Sequence, residues 1–129
     1  MKTTPFADYL RKMRLEKGLG LREFARSIGL QPSNYSNIES GSLPPPAAKN
    51  LEKMIKVLGI EKRSADYVKI MDLAAKGRDE IPADLAELIK RNALIPAMLR
   101  TVEDEKVTSE QLRGIIKDIK NGRYTKAKG

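Results

Sequence analysis

LGLREFARSIGLQPSNYSNIESG, residues 19–41, decides the reading of this chain. Leu21, Phe24, Ala25 and Ile28 recur at the spacing of one helix face, which predicts a helix from about Leu21 to Ser27. Gly29 suits its C-terminal stop, because glycine tolerates positive φ. Leu30 then points inward. Pro32 stands where a second helix begins, and its missing N–H costs nothing in a first turn. That helix runs to about Ser40, with Tyr35 and Ile38 inward and Gly41 as its stop. Ser33, Asn34 and Asn37 are left on its outer face.

Two short helices joined by a tight glycine turn, the second polar on its outer side, form a helix-turn-helix pattern. In that arrangement the second helix enters the major groove of DNA. The flanks extend the pattern. Thr4 can cap, and Pro5 can open, a helix to about Lys17 that carries Phe6, Leu10 and Met13 on one face and ends at Gly18. After residues 19–41 comes SLPPP, whose prolines cannot continue a helix. Pro46 is expected to open a fourth helix burying Leu51, Met54, Ile55 and Leu58, closed by Gly59.

The second half is also helical. Ser64 can cap a helix to Lys76 with Val68, Met71 and Ala75 on one face and Gly77 after it. Pro82 opens a segment with Leu85, Leu88 and Ile89, and Pro96 opens or kinks another with Leu99 and Val102 inward. Thr108 and Gln111 match a capping box. Leu112, Ile115, Ile116 and Ile119 then make an i, i+3, i+4, i+7 stripe, either domain core or a dimer seam. Gly122 ends that helix. The remainder, from Arg123, has no apolar period and reads as a disordered basic tail. The fold class is therefore all-α, in three parts: 1–77, 78–122 as a helical oligomerisation or partner-binding region, and 123–129.

The 129 residues carry a net charge of +8, which favours polyanionic partners. Ten Lys/Arg stand against five Asp/Glu in residues 1–60, nine against eleven in 61–112, and six against one in 113–129. The positive field thus sits on the first part and the tail, and the slightly acidic middle suits protein contacts. There is no Cys and no His, so disulfides, thiolate and imidazole metal sites, and Ser–His or Cys–His catalysis are excluded. No apolar run approaches the roughly 20 residues of a membrane span, and MKTTPFADYLRK breaks into charge too soon for a signal peptide. The expected location is the cytoplasm.

Residues 6–60 resemble the lambda-repressor-like helix-turn-helix domain of the XRE (Cro-type) family. Leu10-Arg11-Lys12-Met13-Arg14, Leu19, Phe24-Ala25, Gly29-Leu30, Ile38-Glu39 with Gly41, and Leu51 through Leu58-Gly59 carry the resemblance. Residues 61–129 resemble the helical extensions of some phage and mobile-element regulators. The family likeness implies a five-helix DNA-binding domain, with Ala25 small where two helices cross. It implies an ion pair between Arg14 and Glu39, and base contacts by Pro32, Ser33, Asn34 and Asn37. Asparagine can bond bidentately to adenine, and serine can donate or accept at several bases. Pro32 and Leu21 depart from the polar residues often found at their positions. Phosphate contacts are expected from Arg22, Ser36, Ser40, Ser42 and Lys49, and from helix N-termini. The bland reading of each charged or polar residue is a solvated helix face.

These features imply a DNA-binding transcriptional regulator, a repressor that binds a palindromic operator in double-stranded DNA as a homodimer. The second reading is an antitoxin that autoregulates its promoter and holds a toxin through its C-terminal helices. The third is a pure interaction module. Gly18-Leu19-Gly20 is no phosphate loop, since no strand precedes it. Asp79-Glu80 and Glu103-Asp104-Glu105 lack a nucleophile or base pattern, so no catalytic residue, cofactor or metal is expected.

Overall fold

Thr4 caps the first helix through a side-chain oxygen that accepts from the Ala7 N–H at 3.1 Å, and Pro5 opens it. This computed structural model describes residues 3–124, and among them every regular element is helical. In order they are α1 (Pro5–Glu16), α2 (Leu21–Ser27), α3 (Pro32–Glu39), α4 (Ala48–Val57), α5 (Ala65–Arg78), α6 (Ala83–Arg91), α7 (Leu94–Asp104) and α8 (Ser109–Lys120). The chain divides into two compact units, Met1–Glu87 and Leu88–Gly129. The division falls beyond the boundary expected after Gly77, within α6.

In the first unit, α1 packs against α3 and α5, and α2 packs against α3. Phe6, Leu10, Phe24, Ile28, Tyr35, Met54, Leu58, Ile70 and Met71 are its largest fully buried side chains. Each such side chain contributes about 1.5–3 kcal/mol by leaving water. Ser64 caps α5 by accepting from the Tyr67 N–H at 3.1 Å. Tyr9 ties α1 to α5 by donating to Asp66 at 2.6 Å, while Lys69 stands over its ring at 4.9 Å. Burial, then the Asp66 bond and charge, push the Tyr9 phenol well above its ordinary pKa.

Several expectations are corrected. Pro46 does not open α4: the helix begins at Ala48 with Ala47 as N-cap, and Pro45 and Pro46 turn inward and are buried. Gly77 does not stop α5, which runs on to Arg78 and ends at Asp79 in the left-handed region (φ 57°). A Cβ at Gly77 would lie 2.6 Å from Pro45 Cγ, so glycine there admits the proline loop. Arg78 secures the same loop by donating to the Pro45 carbonyl at 3.0 Å. Val68 is exposed, and the buried face of α5 is Tyr67, Ile70, Met71, Ala74 and Ala75.

The second unit is built differently. The Thr108–Gln111 capping box forms, with the Thr108 N–H donating to Gln111 Oε1 at 2.9 Å and the Gln111 N–H to Thr108 Oγ1 at 3.1 Å. Yet none of α6, α7 and α8 contains a buried residue. Leu99, expected inward, is exposed. Val102 and Leu112 are half-buried, whereas Ile115, Ile116 and Ile119 face water. The basic tail expected over 123–129 lies, beyond Tyr124, outside the described residues.

Candidate nucleic-acid interface

The turn between α2 and α3 begins at Gly29, whose φ of 76° only glycine adopts cheaply. Its N–H donates to the Arg26 carbonyl at 3.1 Å, and the Leu30 N–H to the Ala25 carbonyl at 2.9 Å. Those bonds close α2 and swing the chain into α3 within a few residues. Ala25 is wholly buried where the helices pack. Beside it Phe24 and Tyr35 meet edge to face, centroids 5.2 Å apart. Ile38 completes the inner side of α3.

A buried polar lock holds the far end of α3. Arg14 donates from Nε to Glu39 Oε2 at 2.8 Å and from Nη2 to Glu39 Oε1 at 2.6 Å. Its third nitrogen, Nη1, donates to the Leu19 carbonyl at 2.8 Å, so one guanidinium joins α1, the α1–α2 loop and α3. Tyr35 donates its hydroxyl to Glu39 Oε2. The two charged side chains are only 8% and 7% exposed, so they stand in low dielectric and need each other. Burial by itself raises the Glu39 carboxyl, but the hydrogen bonds from Arg14 and Tyr35 outweigh it and hold the group below its usual range. The bond to Glu39 raises Arg14 in turn, and burial then Glu39 push the Tyr35 phenol far up.

With Tyr35, Ile38 and Glu39 engaged inward, helical geometry sends Ser33, Asn34 and Asn37 outward, and all three are exposed. Pro32 is half-buried at the first position of α3. The Asn37 carbonyl accepts from the Leu43 N–H at 3.0 Å and from the Ser40 hydroxyl at 3.2 Å, while its side chain faces solvent. Ser40 and Ser42 lie 3.0 Å apart, oxygen to oxygen. Since Ser40 gives its proton to Asn37, Ser42 is the donor within this pair. Ser36 is half-buried on the same flank as Ser40.

Arg22, second in α2, and Lys49, second in α4, are exposed. Among the described residues the ion pairs are Arg14–Glu39, Arg78–Glu80 and Arg123–Asp118, so neither Arg22 nor Lys49 holds a carboxylate. Neither α3 nor α4 has a side-chain cap, which leaves first-turn N–H groups open at both starts.

Two residues escaped the sequence reading. Gln31, the N-cap of α3, is exposed beside Pro32 and its side chain accepts no N–H from its own helix. Arg11 lines a groove of about 330 Å³ between α1 and α3, with Ser36, Ser40, Asp8 and Thr3. Gln31 was legible as a long polar residue just ahead of the helix. Arg11 was not, because it reaches the site from another helix. Among the described residues no cluster of potential metal ligands occurs.

A protein-family model described as helix-turn-helix matches residues 10–63. No curated protein and no solved structure matches the chain significantly. The matched stretch runs from Leu10 through the lock, both short helices and α4 to Arg63.

Proposed function

The N-terminal unit is a member of the XRE helix-turn-helix family of DNA-binding transcriptional regulators, and from that premise we propose that the protein is a repressor that binds a palindromic operator as a homodimer in the cytoplasm. The observation that carries the reading is the split of α3 into two faces. Tyr35, Ile38 and Glu39 fix the helix, while Ser33, Asn34 and Asn37 are exposed and free of structural duty. Asn34 and Asn37 supply the donor–acceptor pair that reads adenine, and Ser33 and Pro32 supply a hydroxyl and an apolar edge. Arg22, Lys49 and the serine flank Ser36, Ser40 and Ser42 address phosphates. A phosphate near Ser42 must compete with the Ser40–Ser42 bond. The family supports a binding role.

Selection of bound sequences from a random DNA pool tests this reading. The expected product is two inverted half-sites about one helical turn apart. Asn37→Ala is expected to cost about 1–3 kcal/mol on the selected site and little on random DNA, whereas Lys49→Ala weakens both alike and lowers the salt slope by about 1. Equal losses on both DNAs for both variants would remove the assigned roles.

The second reading, an antitoxin, draws on the exposed apolar sides of α7 and α8. It predicts a stoichiometric partner that co-purifies with the protein and leaves DNA binding intact.

A further inference from the structure

Leu94, Met98 and Leu99 on α7 are 74%, 51% and 48% exposed, and Ile115, Ile116 and Ile119 on α8 are 41%, 52% and 52% exposed. Leu94 and Met98 are four residues apart on one side of α7 with Leu99 beside them, and Ile115, Ile116 and Ile119 are one, three and four apart on one side of α8. Single exposed apolar residues are ordinary, but two apolar helix sides in a unit with no buried residue among those described are not. A unit spanning Leu88–Gly129 is close to the roughly 40-residue limit below which disulfides, metals or association are needed for folding. The chain has no Cys, and the described residues hold no metal-ligand cluster, so association is left.

Charge identifies the partner. Residues 103–110 carry Glu103, Asp104, Glu105 and Glu110 against Lys106, a net of −3. Residues 113–123 carry Arg113, Lys117, Lys120 and Arg123 against Asp118, a net of +3. The unit therefore holds two adjacent stretches that are equal and opposite. A two-fold contact sets residue i against j and j against i, so such a surface is its own complement. A purely acidic or purely basic partner would match one stretch and be repelled by the other.

We propose that the apolar sides of α7 and α8 are covered by the same sides of a second copy of this chain, in a two-fold contact that sets residues 103–110 of each copy against residues 113–123 of the other. The inference rests on the DNA-binding reading only for its use, which is to hold two copies of α3 for two half-sites. Its support lies wholly in the second unit.

Sedimentation of the full chain without DNA tests it, with far-UV circular dichroism to confirm that each variant is folded. The wild type is expected to be a dimer. Ile116→Glu, Lys117→Glu with Lys120→Glu, and Glu103→Lys with Glu105→Lys are each expected to raise the dimer dissociation constant by about tenfold or more. Combining the two reversed pairs restores it to within about threefold of wild type. A wild type that stays monomeric at about 100 μM overturns the proposal, as does a dimer indifferent to all three changes. Loss in both reversals without rescue also overturns it, because the opposing charges then belong to another protein. A dimer that fails to bind DNA would overturn the DNA reading alone.

Discussion

The two units are made of similar helices and end in opposite conditions. In the first, α1 to α5 present apolar sides of matched spacing to one another, and seventeen buried residues form one cluster. In the second, α7 and α8 have stripes as regular, a well-made capping box and no buried residue. Helix formation and core formation are thus separate achievements. Caps and periodicity make the helix, but only a facing surface removes its stripe from water. The contrast teaches that amphipathic spacing reports how much surface must be covered and is silent about which molecule covers it.

The sharpest way to break the contrast is to strike the lock. Arg14→Ala leaves Glu39 buried without its partner and is expected to cost the first unit about 3–5 kcal/mol in denaturant unfolding. A cost under about 1 kcal/mol would mean that the lock is solvated and the first unit less closed than described. Acid acts on the same group. Because the folded-state pKa of Glu39 lies below its ordinary value of 4.5, its contribution is fully present above pH 4.5 and is lost as pH falls through the folded value. Glu39→Gln should therefore flatten the acid limb of a stability–pH profile while lowering stability at neutral pH. A profile unchanged by the substitution contradicts the assignment.

A smaller and more pointed comparison uses one substitution in both units. Gly77 and Gly114 each lie inside a helix, where alanine is intrinsically better by about 0.5–1 kcal/mol. At Gly77 the new Cβ meets Pro45 Cγ at 2.6 Å and Cδ at 2.9 Å, on a buried ring that has no rotamer to yield. At Gly114 it meets nothing within 4 Å. Gly77→Ala is expected to destabilise by about 1–2 kcal/mol net, and Gly114→Ala to stabilise its helix by about 0.5–1 kcal/mol. Thermal melts that move the same way for both would erase the difference between the units.

What was legible in the sequence follows the same line. The limits of α2 and α3, the Gly29 turn and the Thr108 cap are set by neighbours within about five residues, and the sequence carries them openly. Gly77 and Pro46 depart from their local pattern because their settings depend on partners far along the chain. Gly77 answers to Pro45, and Pro46 is drawn into the core instead of into α4. Val68 lost its inward place because Tyr67 and Ile70 point the face of α5 elsewhere. On α3 the outward positions of Ser33, Asn34 and Asn37 follow from period alone. Arg11 could not be found that way, since the groove it lines joins two helices.

The division of labour on α3 has a consequence for descent and for redesign. Tyr35, Ile38 and Glu39 hold the helix in place, and none of them faces out. The side chains of Ser33, Asn34 and Asn37 face out. If these three side chains read bases, as proposed, mutation can rewrite the address that the protein recognises while leaving its melting point almost untouched. Under that proposal new targets can be reached one substitution at a time, because no step has to survive a loss of fold.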